Sequence, residues 1–314
     1  MARRAARSLS SLYAVTTPRE VAARIGRVGI WSPHLQWQTA SVAQDAVALM
    51  ESLGFGAVWI GEATGKEALT HAGVLLAGGG RIVVGTGIAS IWARDPISMA
   101  NGARTLADAD PGRFVLGLGV SHPFLTEPRG RTFRQPFEHM RWYLEAMDSA
   151  PYVGPDVEAP PRVLAALGPK MLELARDRAS GAHPYFVPVE HTAWAREALG
   201  PDPLLAPEQA VVLERDPDAA RTLAGTYMRT YLELPHYTSN LRRLGWADDD
   251  LAGEGSDRLV DALVARGGVD AVVARVREHL DAGADHVALR ILTPNPKEFP
   301  KKELEEISAA TRDL

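Results

Sequence analysis

Residues 27–60 read RVGIWSPHLQWQTASVAQDAVALMESLGFGAVWI. This stretch begins and ends with short apolar runs rich in β-branched residues and Trp, Arg27–Trp31 and Ala57–Ile60, which predict two strands. Between them, apolar residues including Val42 recur at helical spacing after Ser41, the predicted N-cap, and Gly54 follows in the C′ position. A strand, a helix and a second strand in this order predict one unit of a parallel α/β sheet.

The same alternation continues to residue 311 and gives eight predicted strands. They cover residues 27–31, 57–60, 81–88, 113–119, 162–167, 182–187, 204–213 and 286–292. Nearly all of them are followed by a helix, and residues 217–282 are predicted to be one long helical stretch with breaks. Because the strands are apolar throughout, they fit parallel strands that are buried on both faces. The sequence therefore predicts an α/β fold, a (β/α)8 TIM barrel.

Composition bounds the domain organisation and the chemistry. Residues 1–25 begin with an Arg-rich, acid-poor segment and are assigned to an N-terminal arm, and residues 26–314 to a single barrel domain. The absence of cysteine excludes disulfides, Cys-ligated metals and thiolate catalysis. A net charge of −5 argues against a nucleic-acid partner. No apolar run approaches the length of a membrane span, so a cytoplasmic protein without a membrane partner is expected.

The predicted carboxyl ends of the strands, where barrel enzymes carry their active sites, hold few catalytic groups. No cluster of His and carboxylates suggests a metal, and no Lys lies within a strand, which argues against Schiff-base chemistry. The mouth is instead rich in Gly, with scattered aromatic and His side chains, and this suits a large planar organic cofactor.

Three features of these ends have both a functional and a structural interpretation. Gly168-Pro-Lys170 begins a helix after strand five and is either a phosphate site or an ordinary strand-to-helix turn. Glu62 follows strand two and is either an acid–base group or the partner of Arg94 or Arg113. Functional roles are also considered for three histidines near strand ends: His34, His122 and His183.

Six segments carry a resemblance to a known family. They are residues 26–32 (GRVGIWS), 53–62 (LGFGAVWIGE), 81–96 (RIVVGTGIASIWARDP), 111–119 (PGRFVLGLG), 165–175 (AALGPKMLELA) and 281–287 (DAGADHV). Together they resemble the bacterial luciferase-like flavin and deazaflavin oxidoreductases. The similarity is to the actinobacterial branch that uses coenzyme F420, an 8-hydroxy-5-deazaflavin, rather than FMN.

The resemblance implies a TIM barrel with insertions after strand 4 and between strands 7 and 8, and a homodimer. It also implies a non-prolyl cis peptide at Gly87–Ile88, against the central ring of the cofactor. The cofactor-binding residues carried over or predicted beside it are Trp31, Ser32, Gly87, Ile88, Ala89, Val120, Ser121, Gly168, Pro169, Lys170 and Leu172.

Two positions depart from the family's sugar and alcohol dehydrogenases. An Asp-His pair after strand two is replaced by Gly61-Glu62, and a general-acid Glu after strand four is replaced by His122. His122 is therefore the first candidate for proton transfer and Glu62 the second, since imidazole titrates near neutrality. The predicted substrate pocket consists of His34, Trp92, Phe124 and His183.

The sequence thus predicts an F420-dependent oxidoreductase that exchanges a hydride with a small organic substrate. One alternative is an FMN-dependent monooxygenase that works with a separate flavin reductase. The changes at Glu62 and His122 motivate a second alternative, a barrel that binds a cofactor or ligand without catalysis.

Overall fold

The computed structural model describes residues 17–314. Its eleven strands are β1 (Val28–Trp31), β2 (Ala57–Ile60), β3 (Val83–Thr86), β4 (Ala89–Ser90), β5 (Phe114–Gly119), β6 (Arg162–Leu164), β7 (Gly181–Ala182), β8 (Leu204–Leu205), β9 (Glu208–Val212), β10 (Val264–Arg266) and β11 (Val287–Ile291). The strand pairs are parallel, and the sheet runs in the order β10-β9-β11-β1-β2-β3-β5-β6-β7-β8, with β4 beside β5.

The described helices pack mostly around this sheet. They are α1 (Pro18–Ile25), α2 (Ala40–Ser52), α3 (Ala68–Leu76), α4 (Pro96–Ala109), α5 (Pro123–Thr126), α6 (Pro136–Asp148), α7 (Pro169–Arg178), α8 (Val189–Leu199), α9 (Pro217–Leu232), α10 (Pro235–Arg243), α11 (Asp248–Leu251), α12 (Asp257–Leu263), α13 (Val269–Asp281) and α14 (Lys301–Thr311). Helix α5 lies in the insertion after the fourth barrel strand, before the barrel helix α6, and α9 to α12 lie in the insertion between the seventh and the eighth. Both predicted insertions are confirmed.

Two adjacent residues close the ring of strands. The amide of Ala206 donates to the carbonyl of Ala182 at 2.9 Å, and the carbonyl of Pro207 accepts from the amide of Ala288 at 2.9 Å. Strands β8 and β9, which flank these residues, are therefore two halves of the predicted seventh strand. One half pairs with β7 and the other with β11. The TIM-barrel prediction is confirmed.

Side chains alternate between the inside of the barrel and the layer of helices. Trp59, Val83, Val115 and Val163 pack in the interior cluster, whereas the residue after each of them faces the helices. This alternation follows from the two-residue period of a strand. It identifies the inward-facing positions near the carboxyl ends of the strands, where the predicted site lies.

Helix α1 closes the amino-terminal end of the barrel. Thr17 caps it through a reciprocal pair of hydrogen bonds with Glu20, and its buried residues Val21 and Ile25 join the interior cluster. Residues 18–25, assigned to the N-terminal arm from the sequence, therefore pack as part of the barrel. The first 16 residues of that arm lie outside the described residues.

Three predicted elements differ from the structure. Helix α2 is capped by Thr39, two residues before the predicted cap Ser41, and its buried face includes Ala43 and Ala46, whereas Val42, predicted on that face, is exposed. The sixth strand is only the two residues of β7. The predicted helical stretch at 217–282 contains β10, which pairs with the carboxyl half of β9 that the short β7 leaves unpaired.

Candidate active site

At the carboxyl end of the barrel, the residues on one side have small side chains or none, and those on the other side have large ones. Continuing the inward register places Gly61, Gly87, Gly119 and Ala165 at the ends of β2, β3, β5 and β6, where side chains are absent or small. On the opposite side the same register places Trp31 and Arg290 at the ends of β1 and β11, and Glu208 at the start of β9. A flat group entering the mouth would therefore have backbone on one side and large side chains on the other.

The peptide bond between Gly87 and Ile88 is cis, as the resemblance implied. Trp31 lies against it and donates its indole N–H to the carbonyl oxygen of Gly87 at 2.8 Å. A Cβ at Gly87 would lie 2.6 Å from the Trp31 indole nitrogen and 2.8 Å from Nε2 of His183. Position 87 therefore has no room for a side chain in this arrangement, and Ala89 follows on β4, fully buried.

Two predicted pocket residues are packed into the wall of the barrel. His183 is buried, stacks on Trp59 at 4.5 Å and holds the carbonyl of Ala206 through Nδ1 at 2.6 Å. Trp92 donates to the carbonyl of Val120 at 2.8 Å and stacks on His139 at 4.0 Å. Both residues hold neighbouring backbone or rings in place.

Glu62 is paired inside the protein. Its carboxylate accepts from the amide of Ser90 at 2.7 Å and from Ala68 at 3.3 Å, and it forms an ion pair with Arg94. The Glu62 side chain is 1% exposed, and Arg94 also pairs with Glu67 at the start of α3. These contacts match the salt-bridge interpretation of Glu62. The acid–base role stays a prediction.

His122 lies where β5 passes into the first insertion. Its ring stacks on Phe124 at 5.6 Å and on His236 of α10 at 4.6 Å, and its buried Nδ1 has no hydrogen-bond partner among the described residues. Burial lowers the pKa of His122 to about 4, so the ring is neutral at neutral pH. Phe124 is half exposed at the rim, and Ser121 has a left-handed backbone.

Helix α7 offers its amino terminus at the end of β6. Gly168 is the N-cap and no side chain caps the helix, while Pro169 opens the first turn and Leu172 packs in the core. The side chain of Lys170 lies over the ring of Phe137. The nearby cation is instead Arg243 of α10: a Cβ on Gly168 would lie 3.7 Å from its Nη2. Arg243 also donates to Asn240, whose buried Nδ2 has no partner.

The sequence left Arg290 without a role. Its Nη1 donates to the hydroxyls of Tyr231, at 2.8 Å, and Tyr185, and its guanidinium lies over the rings of Trp31 and Tyr227. Burial lowers the pKa of Arg290 to about 9. The sequence does contain one signal for such a role: Arg290 is a charged residue in an otherwise apolar strand, two positions after the inward-facing Ala288.

Buried polar atoms without partners surround the mouth of the barrel. They are Ser32 Oγ, His122 Nδ1, His183 Nε2 and Arg290 Nε. The buried His34 lies on the 3-10 helix just after β1. Because buried polar groups are normally satisfied, these atoms indicate a polar ligand. With the glycine side and the uncapped α7 terminus beside Arg243, they fit a planar ring that carries a phosphate.

Four more buried polar atoms without partners lie elsewhere in the described chain, on His71, Asn101, Arg104 and His191. A cavity of about 500 Å³ between α4, α6 and residues 158–162 holds none of the predicted site residues. Within residues 17–314, no three His or carboxylate side chains are grouped as metal ligands. No helix in the same range has the length and apolarity to cross a membrane.

Comparison with known proteins gives a family and a shared fold. The family profile of luciferase-like monooxygenases matches residues 26–286. A putative coenzyme F420-dependent oxidoreductase of Mycobacterium tuberculosis is 35% identical over 102 residues, which is 32% of this chain and 29% of that relative.

Two solved structures share the fold at 16% identity. An F420-dependent secondary alcohol dehydrogenase in complex with an F420–acetone adduct has a TM-score of 0.71, covering 91% of this chain and 99% of that one. The FMN-bound oxygenating constituent of 3,6-diketocamphane monooxygenase from Pseudomonas putida has a TM-score of 0.65, covering 91% and 97%.

Proposed function

Because the chain belongs to the luciferase-like monooxygenase family, we propose that it is a coenzyme F420-dependent oxidoreductase acting on a small organic substrate. The bound deazaflavin would supply a hydride donor or acceptor. The observation that carries this proposal is the uncapped start of α7 beside Arg243, at the same end of the barrel as the bare glycine positions. The similarity to the putative F420-dependent oxidoreductase supports the deazaflavin over FMN.

In this proposal the cofactor's phosphate is held by the loops after β5 and β6. The free backbone N–H groups at the start of α7 are those of Gly168 and Lys170, since Pro169 has none, and they lie at the positive end of the helix dipole, with Leu172 packed beneath this turn. Val120 and Ser121 contribute backbone from the loop after β5, and Arg243 adds the positive charge. Because Arg243 comes from the second insertion, that insertion completes the site.

The ring lies in the mouth of the barrel. Gly87, Ile88 and Ala89 approach it with backbone, while Trp31 and Ser32 face it from the end of β1. His34 and Phe124 line the substrate side, and Trp92 and His183 support the wall. This enclosure excludes water and orients the reacting groups.

His122 handles the substrate's proton. In the direction of alcohol oxidation, the neutral imidazole would accept the proton of a substrate hydroxyl while the bound deazaflavin would accept the hydride. Glu62 acts through its contacts, because it holds Arg94 and the backbone of Ser90 next to the Gly87–Ile88 bond. The homodimer implied by the resemblance stays a prediction.

Titration with F420 and, separately, with FMN tests the cofactor. We expect quenching of F420 fluorescence with saturable binding, and weaker binding of FMN. Tight FMN binding without F420 binding would support the reductase-coupled monooxygenase, and binding of neither would support a non-catalytic barrel.

Replacement of Arg243 should weaken cofactor binding selectively. For Arg243→Ala we expect a loss of F420 affinity of about tenfold, the size of one charge-assisted hydrogen bond. The control is Arg242→Ala, since that neighbouring exposed guanidinium pairs with Asp248. Fluorescence titrations at two salt concentrations measure both affinities. Equal affinities for the two variants would remove Arg243 from the phosphate site.

Replacement of His122 should affect turnover and not binding. With a small alcohol or ketone that the enzyme accepts, we expect His122→Ala to lower kcat by at least about a hundredfold, while the F420 Kd stays unchanged. The matched control is His139→Ala, a partly exposed histidine that stacks on Trp92. An unchanged kcat in His122→Ala would exclude His122 from proton transfer.

A further inference from the structure

Arg290 is a cation without a carboxylate partner in the described part of the chain. Its contacts are tyrosine hydroxyls and aromatic rings, and it forms none of the ion pairs among residues 17–314. Glu208 lies on the neighbouring strand β9, two residues before the position that pairs with Arg290. Its carboxyl group is buried, and desolvation raises its pKa to about 8. Glu208 is therefore mostly neutral at neutral pH and does not balance the charge of Arg290.

One edge of the guanidinium is free. Nη1 is used by the hydroxyls of Tyr185 and Tyr231, which are themselves 2.7 Å apart, and the rings of Trp31 and Tyr227 hold the group from its sides. Nε is buried without a partner, and Nη2 makes no hydrogen bond to the described residues. An Nε–Nη2 edge presents two parallel N–H donors, the geometry that binds a carboxylate through both oxygens.

The free edge lies close to the proposed reaction centre. The guanidinium carbon is 4.8 Å from the centre of the Trp31 ring, and the other end of that indole donates to Gly87. Arg290 is thus one indole away from the backbone that faces the cofactor ring in the proposed function. It lies on β11, three barrel strands from the phosphate site after β6.

We propose that Arg290 binds a carboxylate of the substrate, so that the protein acts on a small organic acid. The tyrosines fix the guanidinium before the substrate arrives, and the aromatic rings exclude water from the ion pair. The assignment of this carboxylate to the substrate rests on the proposed function. The anion site itself rests on the contacts of Arg290.

The test uses the cofactor-free protein, with benzoate as the probe and benzamide as its neutral isostere. Ligand-detected NMR titrations give the two dissociation constants. We expect benzoate to bind at least about tenfold more tightly than benzamide, and Arg290→Met to remove this preference. The control, Lys297→Met, removes one exposed positive charge from the loop after the same strand and should keep it.

Two further measurements keep the result interpretable. Arg290→Met should not lower the thermal midpoint, because it removes a partly buried charge that has no counter-ion in the described part of the chain. If that variant does not fold, Arg290→Lys replaces it, since Lys keeps the charge without the two-donor edge and should lose most of the preference.

Equal binding of benzoate and benzamide by the wild type would overturn the proposal. So would Arg290 variants that keep the preference for benzoate, or that lose affinity for F420 and not for benzoate. Since the titrations contain no cofactor, a failure of wild-type protein to bind F420 overturns the proposed function and leaves the anion site standing.

Discussion

Lowering the pH from 7.5 to 5.5 should reduce the free energy of unfolding by on the order of 6 kcal/mol. The cause is a set of histidines that are buried in the neutral form, with less than 5% of each residue exposed: His34, His71, His183, His191, His279 and His286. Burial lowers the pKa of each to about 4, and that of His279 to about 3.

The sign follows from the lowered pKa in the folded state. The unfolded chain binds protons near pH 6.5, whereas the folded protein does not until about pH 4. The stability that these histidines contribute is therefore complete above pH 6.5 and is lost as the pH falls from 6.5 towards 4. Each of these histidines, and also His122 and His236, loses about 1 kcal/mol by pH 5.5, whereas Glu208, whose pKa burial raises to about 8, regains about 2 kcal/mol as it is protonated.

Urea denaturation at pH 7.5, 6.5 and 5.5 measures this loss. The matched variant is His71→Leu, because Nε2 of His71 has no hydrogen-bond partner and an apolar side chain of similar size suits its place on α3. His71→Leu should lose about 1 kcal/mol less than wild type between pH 7.5 and 5.5. Equal stability of the wild type at both pH values would contradict the neutral burial of these side chains.

Removal of the Glu62 carboxylate should also be strongly destabilising. In Glu62→Ala, the side chain of Arg94, which is 11% exposed, loses its buried partner, and the amide of Ser90 loses its acceptor. Breaking a buried ion pair from one side costs about 3–5 kcal/mol, because the remaining charge stays desolvated. Urea denaturation at pH 7.5 gives this difference.

Glu67 provides the control, since it pairs with the same arginine from the half-exposed start of α3. Glu67→Gln should cost about 1 kcal/mol, mainly through the weakened cap at Leu69 and Thr70. If Glu62→Ala and Glu67→Gln are equally stable, Glu62 does not hold this end of the barrel, and the acid–base role becomes the better interpretation.

Local sequence patterns predicted which helices and strands exist better than they predicted the residues at which these elements begin and end. The strands at residues 57–60 and 113–119 were predicted correctly, because a strand that is buried on both faces is apolar at nearly every residue. Helix α2 was shifted by two residues because Thr39 and Ser41 are both acceptable caps. Strand β10 was missed because its three residues continue an apolar helical pattern, and only the free edge of β9 makes them a strand.

Sequence reasoning predicted the parts of the candidate site that are formed by adjacent residues. It missed the parts that depend on contacts between distant elements. The α7 terminus at Gly168 is contained in a few adjacent residues, and the cis bond at Gly87–Ile88 was implied by the family resemblance of residues 81–96. Arg243 reaches this terminus across a separation of 76 residues, and Glu62 meets Arg94 across 32. No short motif records such pairs.

The sequence by itself thus determined the alternating α/β architecture, the barrel and the absence of thiol chemistry, because strand and helix periodicity and composition are properties of neighbouring residues. Only the tertiary structure decided which charges are paired. It joined Glu62 to Arg94, brought Arg243 to the start of α7 and placed Arg290 among tyrosines, with no carboxylate partner among residues 17–314. The physical reason is that a side chain's partner depends on how the ring closes and where the insertions dock, and both are set by contacts between distant parts of the chain.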